Sequence, residues 1–157
     1  MKINLLVVGK TIDKQLIKLT EEYQGRLKHY VTFNMVVLPE LKHTKHLSET
    51  EQKEKEADLI LKQIEAGDEL MLLDERGKQY ASVGFANFLE HKLLSSTKRM
   101  IFVVGGPYGF SERVYSRANY KMSLSLMTFS HQMVRVIFLE QLYRAMTIIR
   151  GEPYHHE

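Results

Sequence analysis

There is no cysteine anywhere in the 157 residues, which rules out disulfides, a thiol nucleophile and zinc held by thiolates. No run of about eighteen apolar residues occurs, so no membrane-spanning helix is expected. The start, Met1-Lys2-Ile3-Asn4, passes straight into an apolar strand pattern and lacks the segments of a secretory leader, so the cytoplasm is the expected location. Repeats, low-complexity tracts and Pro/Gly-rich linkers are also missing. A single domain over residues 1–157 is the expectation. Two histidine pairs, His43 with His46 and His155 with His156, have no carboxylates spaced around them as metal ligands, and no His-Glu-x-x-His is present. No metal is therefore expected. The Gly105-Gly106-x-x-Gly109 run is neither G-x-G-x-x-G nor a P-loop, because no Gly-Lys-Ser/Thr follows it.

What is present is a globular composition, with 44% hydrophobic and 26% charged residues. Charge is distributed unevenly. Residues 1–97 carry 14 Lys and Arg against 15 Asp and Glu, whereas residues 98–157 carry 8 against 4. The C-terminal part is the basic part, which suits a polyanionic partner or an ordinary charged surface.

Strand and helix patterns alternate along the chain. Apolar runs predict strands at 2–8, 31–38, 70–73 and 100–104, with a last short one at 121–126. The run at 70–73 reads as closed by Asp74-Glu75-Arg76-Gly77. Helical spacing covers 13–29 with Asp13 as N-cap, 48–65, 82–94, a short segment from Ser111-Glu112, and 131–150. Near-continuous apolar strands between helices imply an α/β fold, a mainly parallel sheet with helices on both faces. The last helix is apolar around most of its circumference. Such a helix needs cover on nearly all sides, from the sheet and a second copy of the chain or from complete enclosure.

Two loops stand out. Ile101-Phe102-Val103-Val104 ends in Gly105-Gly106-Pro107-Tyr108-Gly109, where bare backbone can approach a ligand. Leu124-Ser125-Leu126-Met127-Thr128-Phe129-Ser130-His131-Gln132 then opens the final helix, where amides lack intrahelical partners. A glycine pair after a strand also fits a plain turn. Glu140 and Arg144, four apart, fit an ion pair, or Arg144 can hold a phosphate or base edge. In the tail Arg150-Gly151-Glu152-Pro153-Tyr154-His155-His156-Glu157, aromatic and imidazole groups suit stacking on a base.

Taken together, these motifs with Glu-Gln-Leu-Tyr-Arg-Ala and the start Met-Lys-Ile-x-Leu-Leu-Val-Val-Gly-Lys resemble the large-subunit ribosomal RNA methyltransferase H family, small SPOUT-type enzymes, over the whole chain. The resemblance implies a C-terminal trefoil knot and a homodimer. It also implies transfer of a methyl group from S-adenosylmethionine to nitrogen 3 of a pseudouridine in 23S rRNA within the ribosome. Carried over by motif, Leu73, Gly105 and the stretch Leu124, Ser125, Leu126, Met127, Thr128 and Phe129 are expected to hold the cofactor. Arg144, Tyr154 and His155 are expected near the target base. The imide proton can be taken by His155, or the anion stabilised by Arg144, or the acidity lowered without a dedicated base. Arg117, Lys121 and Arg135 are expected to seat the RNA backbone. Competing readings are a tRNA-modifying SPOUT enzyme, a non-catalytic ribosome-associated RNA-binding factor, and a flavodoxin-like nucleotide module.

Overall fold

A computed structural model describes residues 1–156. The elements are β1 (Lys2–Val8), α1 (Lys14–Leu27), β2 (Thr32–Leu38), α2 (Glu49–Leu61), β3 (Glu69–Gln79), α3 (Ser82–Leu94), β4 (Arg99–Val104), α4 (Glu112–Arg117), β5 (Tyr120–Ser123) and α5 (Met133–Ile149). A short 3₁₀ turn at Thr44–His46 precedes α2. The five strands form one sheet in the order β2-β1-β4-β3-β5, every pair parallel.

Alternation along the strands divides the core into two layers, as period-2 geometry requires. Ile3, Leu5, Met100 and Phe102 face α1, α3 and α5, while Leu6, Leu70, Ile101 and Val103 face α2 and α4. Parallel strands buried on both faces need such apolar runs, which is why β1 and β4 read so clearly in the sequence. Asp13 caps α1 as expected, its Oδ1 accepting from Gln15 N at 2.9 Å and Leu16 N at 3.1 Å. Ser48 does the same for α2, accepting from Glu51 N at 3.1 Å.

Three expectations change. Helix α2 stops at Leu61, short of residue 65. Strand β3 runs on through Asp74-Glu75-Arg76-Gly77 instead of turning there. The cause is β5, which pairs with Leu73 through Met122 and again with Lys78 through Met122, so residues 74–77 bulge between two stretches of pairing. Gly77 lies directly on the β5 backbone, where a Cβ would come within 2.5 Å of Met122 N. Finally, β5 ends at Ser123, and residues 124–130 leave the sheet.

Helix α5 lies between α1 and α3 on the sheet, with the Phe138 ring 4.8 Å from that of Phe102. Its buried residues include Val136, Phe138, Leu139, Leu142, Ala145 and Met146. The apolar circumference is thus met by the sheet below and a helix on either side. The outward stripe keeps Met133, 42% exposed, and half-buried Ile137, Gln141 and Arg144.

Candidate active site

The carboxyl ends of β3, β4 and β5 are neighbours, so the segments leaving them converge on one rim of the sheet. Between them lies a cleft of about 640 Å³. Leu73 and Asp74 line it from β3, Val104 from the end of β4 with Gly105 and Gly106 just beyond, and Leu124 and Ser125 from the segment after β5. Met127, Thr128 and Phe129 complete that wall, with His131 and Val134 at the start of α5. Seven of the eight expected cofactor positions therefore meet in one place. Leu126 does not. It is 78% exposed and outside the lining, because the segment curls there. Ser125 Oγ shapes that curl by accepting from Met127 N at 2.9 Å, and Ser123 Oγ donates to Ser125 O at 2.9 Å.

The glycines of the β4 loop each answer to a neighbour. A Cβ on Gly105 would press within 3.0 Å of the Phe110 ring. On Gly106 it would collide with the Glu56 carboxyl. Gly109, with φ of 80°, turns the loop back so that its N–H donates to Gly106 O at 3.2 Å.

The polar wall carries both signs of charge, with Asp74, Glu75 and Glu112 alongside Lys53 and Arg76, and Thr128 Oγ1 donates to Glu75 Oε2 at 3.3 Å. Tyr115 donates a short hydrogen bond to Asp74. Burial, reinforced by that carboxylate, pushes the Tyr115 hydroxyl up to about 12, so it stays protonated and donating. Nothing in the sequence marked Tyr115 or Asp74. The first sits in a one-turn helix and the second in what reads as a turn.

At the other end of α5 the expected substrate-side residues form their own cluster. Arg144 Nη2 donates to Glu140 Oε1 at 2.6 Å, and the Tyr154 hydroxyl donates to the same oxygen at 2.9 Å. The Arg144 guanidinium stands 4.9 Å over the Tyr154 ring, and its Nη1 is 3.0 Å from His155 Nδ1. Arginine has only donors, so Nδ1 accepts and carries no proton in this arrangement. The Glu140 hydrogen bond raises the Arg144 pKa, and burial followed by Glu140 raises that of Tyr154. Glu140 thus holds both groups in place. Its i,i+4 ion pair with Arg144 is as the spacing suggested.

The two sets do not meet within one chain. Val134 lines the cleft and Arg144 follows ten residues later on the same helix, about 15 Å along its axis.

Of the three expected RNA-seating cations, Arg135 is not one. It is 1% exposed, and its guanidinium donates to Val8 O and Gly9 O at 2.9 Å, Thr11 Oγ1 at 3.0 Å and His131 O at 3.0 Å. It fastens the start of α5 to the end of β1, and burial lowers its pKa. Arg117 is tied to Glu65 O and Asp68 O at 3.1 and 2.9 Å. Lys121 is exposed, with its ammonium 5.5 Å from the Tyr115 ring centre. Among the described residues no group of three metal-ligating side chains occurs, and no helix is long and apolar enough to cross a membrane.

A parallel sheet with its cleft walled by main chain beyond the strand ends defines an α/β ligand-binding domain, with a separate arginine, tyrosine and histidine cluster on the helix that leaves the cleft. The family described as "Predicted SPOUT methyltransferase" matches residues 1–155. The chain belongs to the SPOUT methyltransferase family. Among curated relatives, "Ribosomal RNA large subunit methyltransferase H" of Parabacteroides distasonis is 57% identical over the full length of both chains. Proteins of the same name from Phocaeicola vulgatus and Flavobacterium johnsoniae are 56% and 54% identical, also over the full length of both.

Proposed function

We propose that this chain is a methyltransferase that uses S-adenosylmethionine to methylate nitrogen 3 of a pseudouridine in 23S rRNA of the large ribosomal subunit. The observation that carries the reading is the cleft beyond β3, β4 and β5, built by the motif loops of a chain that matches rRNA large subunit methyltransferases along its whole length. The donor set fits the cofactor. Apolar Leu73, Val104 and Val134 offer a floor for an adenine ring, and Gly105 leaves backbone open to it. When bound, S-adenosylmethionine supplies a methyl group already activated by its sulfonium.

The protein's own task is to orient and to stabilise charge. Leu73, Gly105, Leu124, Ser125, Met127, Thr128 and Phe129 hold the cofactor side. Leu126, outside the lining, contributes through the shape of the loop. On the substrate side, Tyr154 packs against the base and Arg144 offsets the negative charge of the imide anion. Because His155 Nδ1 accepts from Arg144, the arginine is the stronger candidate for this role, with His155 as its positioning partner.

The separation along α5 supports a homodimer in which Arg144, Tyr154 and His155 of one copy serve the cleft of the other. The outward stripe of α5, with Met133 and Ile137, offers part of the contact. A knotted C-terminal segment belongs to the same proposal and rests on the match to the SPOUT family. The whole chain acts as one domain, in the cytoplasm where ribosomes are.

Incubating the protein with labelled S-adenosylmethionine and ribosomes from a strain lacking it, then analysing nucleosides by mass spectrometry, tests the reading. Label in a 3-methylated pseudouridine of large-subunit RNA is expected. Label only in tRNA, or none, rejects it.

A further inference from the structure

The tail that carries Tyr154 and His155 leaves α5 through a tight turn. Gly151, with φ of 70°, takes the left-handed conformation and its N–H donates to Ile148 O at 3.0 Å, while Glu152 N donates to Thr147 O at 2.9 Å. These bonds set where the tail starts. Its course beyond Glu152 needs side-chain anchors, because a chain end is ordered only where it is tied down.

Glu140 is one anchor. Another comes from the opposite end of the chain, the turn at residues 28–30 between α1 and β2. There the Tyr30 hydroxyl donates to Glu152 Oε2 at 2.6 Å. The same turn grips the foot of the tail. Arg150 Nη2 donates to His29 O at 2.7 Å, and the Arg150 guanidinium lies 4.2 Å from the Tyr30 ring centre. The Tyr30 ring reaches the tail by a second route. It stands edge-on to Tyr143 at 5.8 Å, and Tyr143 stands edge-on to Tyr154 at 4.8 Å. A run of ring contacts thus joins the turn to the tyrosine assigned to the target base.

Tyr30 is half-buried and lines no part of the cleft. The hydrogen bond to Glu152, with burial adding to it, pushes its hydroxyl up to about 12, so it stays protonated and donating. A hydroxyl donating to a carboxylate makes a stronger bond than one between neutral groups. None of the chemistry assigned to Arg144, Tyr154 and His155 uses this bond directly.

We propose that Tyr30 is a positioning residue for the substrate-side cluster, holding the tail through Glu152 and Tyr143 so that Tyr154 and His155 stay on Arg144. The inference rests on the substrate-side reading above and adds to it a residue from the α1–β2 turn, far from the tail in sequence.

Three variants test it. Tyr30→Phe removes the hydroxyl and keeps the ring contacts, Glu152→Ala removes the acceptor, and Glu152→Gln keeps one. The first readout is nitrogen NMR of histidine-labelled protein, with the His155 signals assigned by their loss in His155→Ala. In Tyr30→Phe and Glu152→Ala the His155 Nδ1 signal is expected to move toward that of a free imidazole, and in Glu152→Gln to stay near its wild-type place. The second readout is methyl transfer to ribosomes. Tyr30→Phe and Glu152→Ala are each expected to lower kcat about tenfold, the scale of a small misplacement, with KM for ribosomes and affinity for S-adenosylhomocysteine within about twofold. The double variant is expected to be no worse than the worse single one, since both remove one contact, and Glu152→Gln is expected to retain most of the activity. A folded Tyr30→Phe that keeps either the wild-type His155 signal or the wild-type kcat overturns the proposal. Additive losses in the double variant overturn it too, as does an equal loss of S-adenosylhomocysteine affinity, which marks Tyr30 as a prop for the whole fold. Glu152→Ala reads the same contact where Tyr30→Phe fails to fold. If the wild type methylates no RNA, the functional reading falls separately, and the His155 signal alone decides whether Tyr30 sets the tail.

Discussion

Arg144 carries more of the proposed chemistry than any other side chain. It touches Glu140, Tyr154 and His155 at once, and its Nε is buried without a partner. A guanidinium held this firmly is pre-organised to meet negative charge on a base. Arg144→Ala is expected to lower methyl transfer by about 10²–10³-fold, the scale for removing one preorganised donor, while leaving binding of S-adenosylhomocysteine within about twofold. His155→Ala separates the two mechanisms. If His155 positions Arg144, its loss costs less than that of Arg144, and the pH profile keeps its shape. A loss equal to that of Arg144, with a changed profile, identifies His155 as the base. Arg135 is the residue most misread from sequence. Its spacing from His131 suggests an exposed helical cation, but its acceptors, Val8 O and Gly9 O, come from the far end of the chain. No local pattern encodes a partner more than a hundred residues away.

Among the elements, those with self-contained signals were legible. Helix α3 runs from Ser82 to Leu94, the span its apolar spacing gives, and β1 and β4 follow from unbroken apolar runs. Strand β3 was half legible, because the charged Asp74-Glu75-Arg76 followed by Gly77 looks like a turn until β5 is laid against it. That crossing makes a prediction. Gly77→Ala drives a methyl group into the β5 backbone, so a loss of about 2–3 kcal/mol or more is expected in denaturant unfolding, and a neutral result would show that β3 and β5 can separate there. The opening of β3 is held differently. Asp68 accepts from Arg99 Nε at 2.8 Å, Arg99 Nη2 at 2.5 Å and Glu65 N at 2.7 Å. The Arg99 hydrogen bonds hold its pKa below the ordinary carboxylate value. Such a carboxylate stabilises the fold fully above the unfolded-state pKa, and the contribution fades as pH falls through the depressed folded value. Asp68→Asn is therefore expected to cost about 2 kcal/mol at neutral pH, with the gap to wild type closing on acidification. A gap that does not depend on pH would contradict the charge-based account.

At the scale of the whole molecule, the loops that form the cleft were legible as motifs, and the cluster on the tail was too. Their separation was not, because it depends on where along α5 each set falls once the helix is packed. In the proposed homodimer this separation gives the second copy its role: one chain supplies the cleft and the other the arginine. Complementation between two defective variants measures it directly. Gly105→Val crowds the cofactor loop against Phe110, and Arg144→Ala removes the substrate-side cation, so each alone is expected to be nearly inactive. Unfolded together and refolded as an equal mixture, half of the dimers pair one variant with the other. If each site draws on both chains, every such dimer has one intact site, and activity is predicted to recover to about a quarter of the wild-type level. If cleft and arginine must come from the same chain, no mixed dimer has an intact site, and a mixture that stays as inactive as its components would contradict the shared-site account.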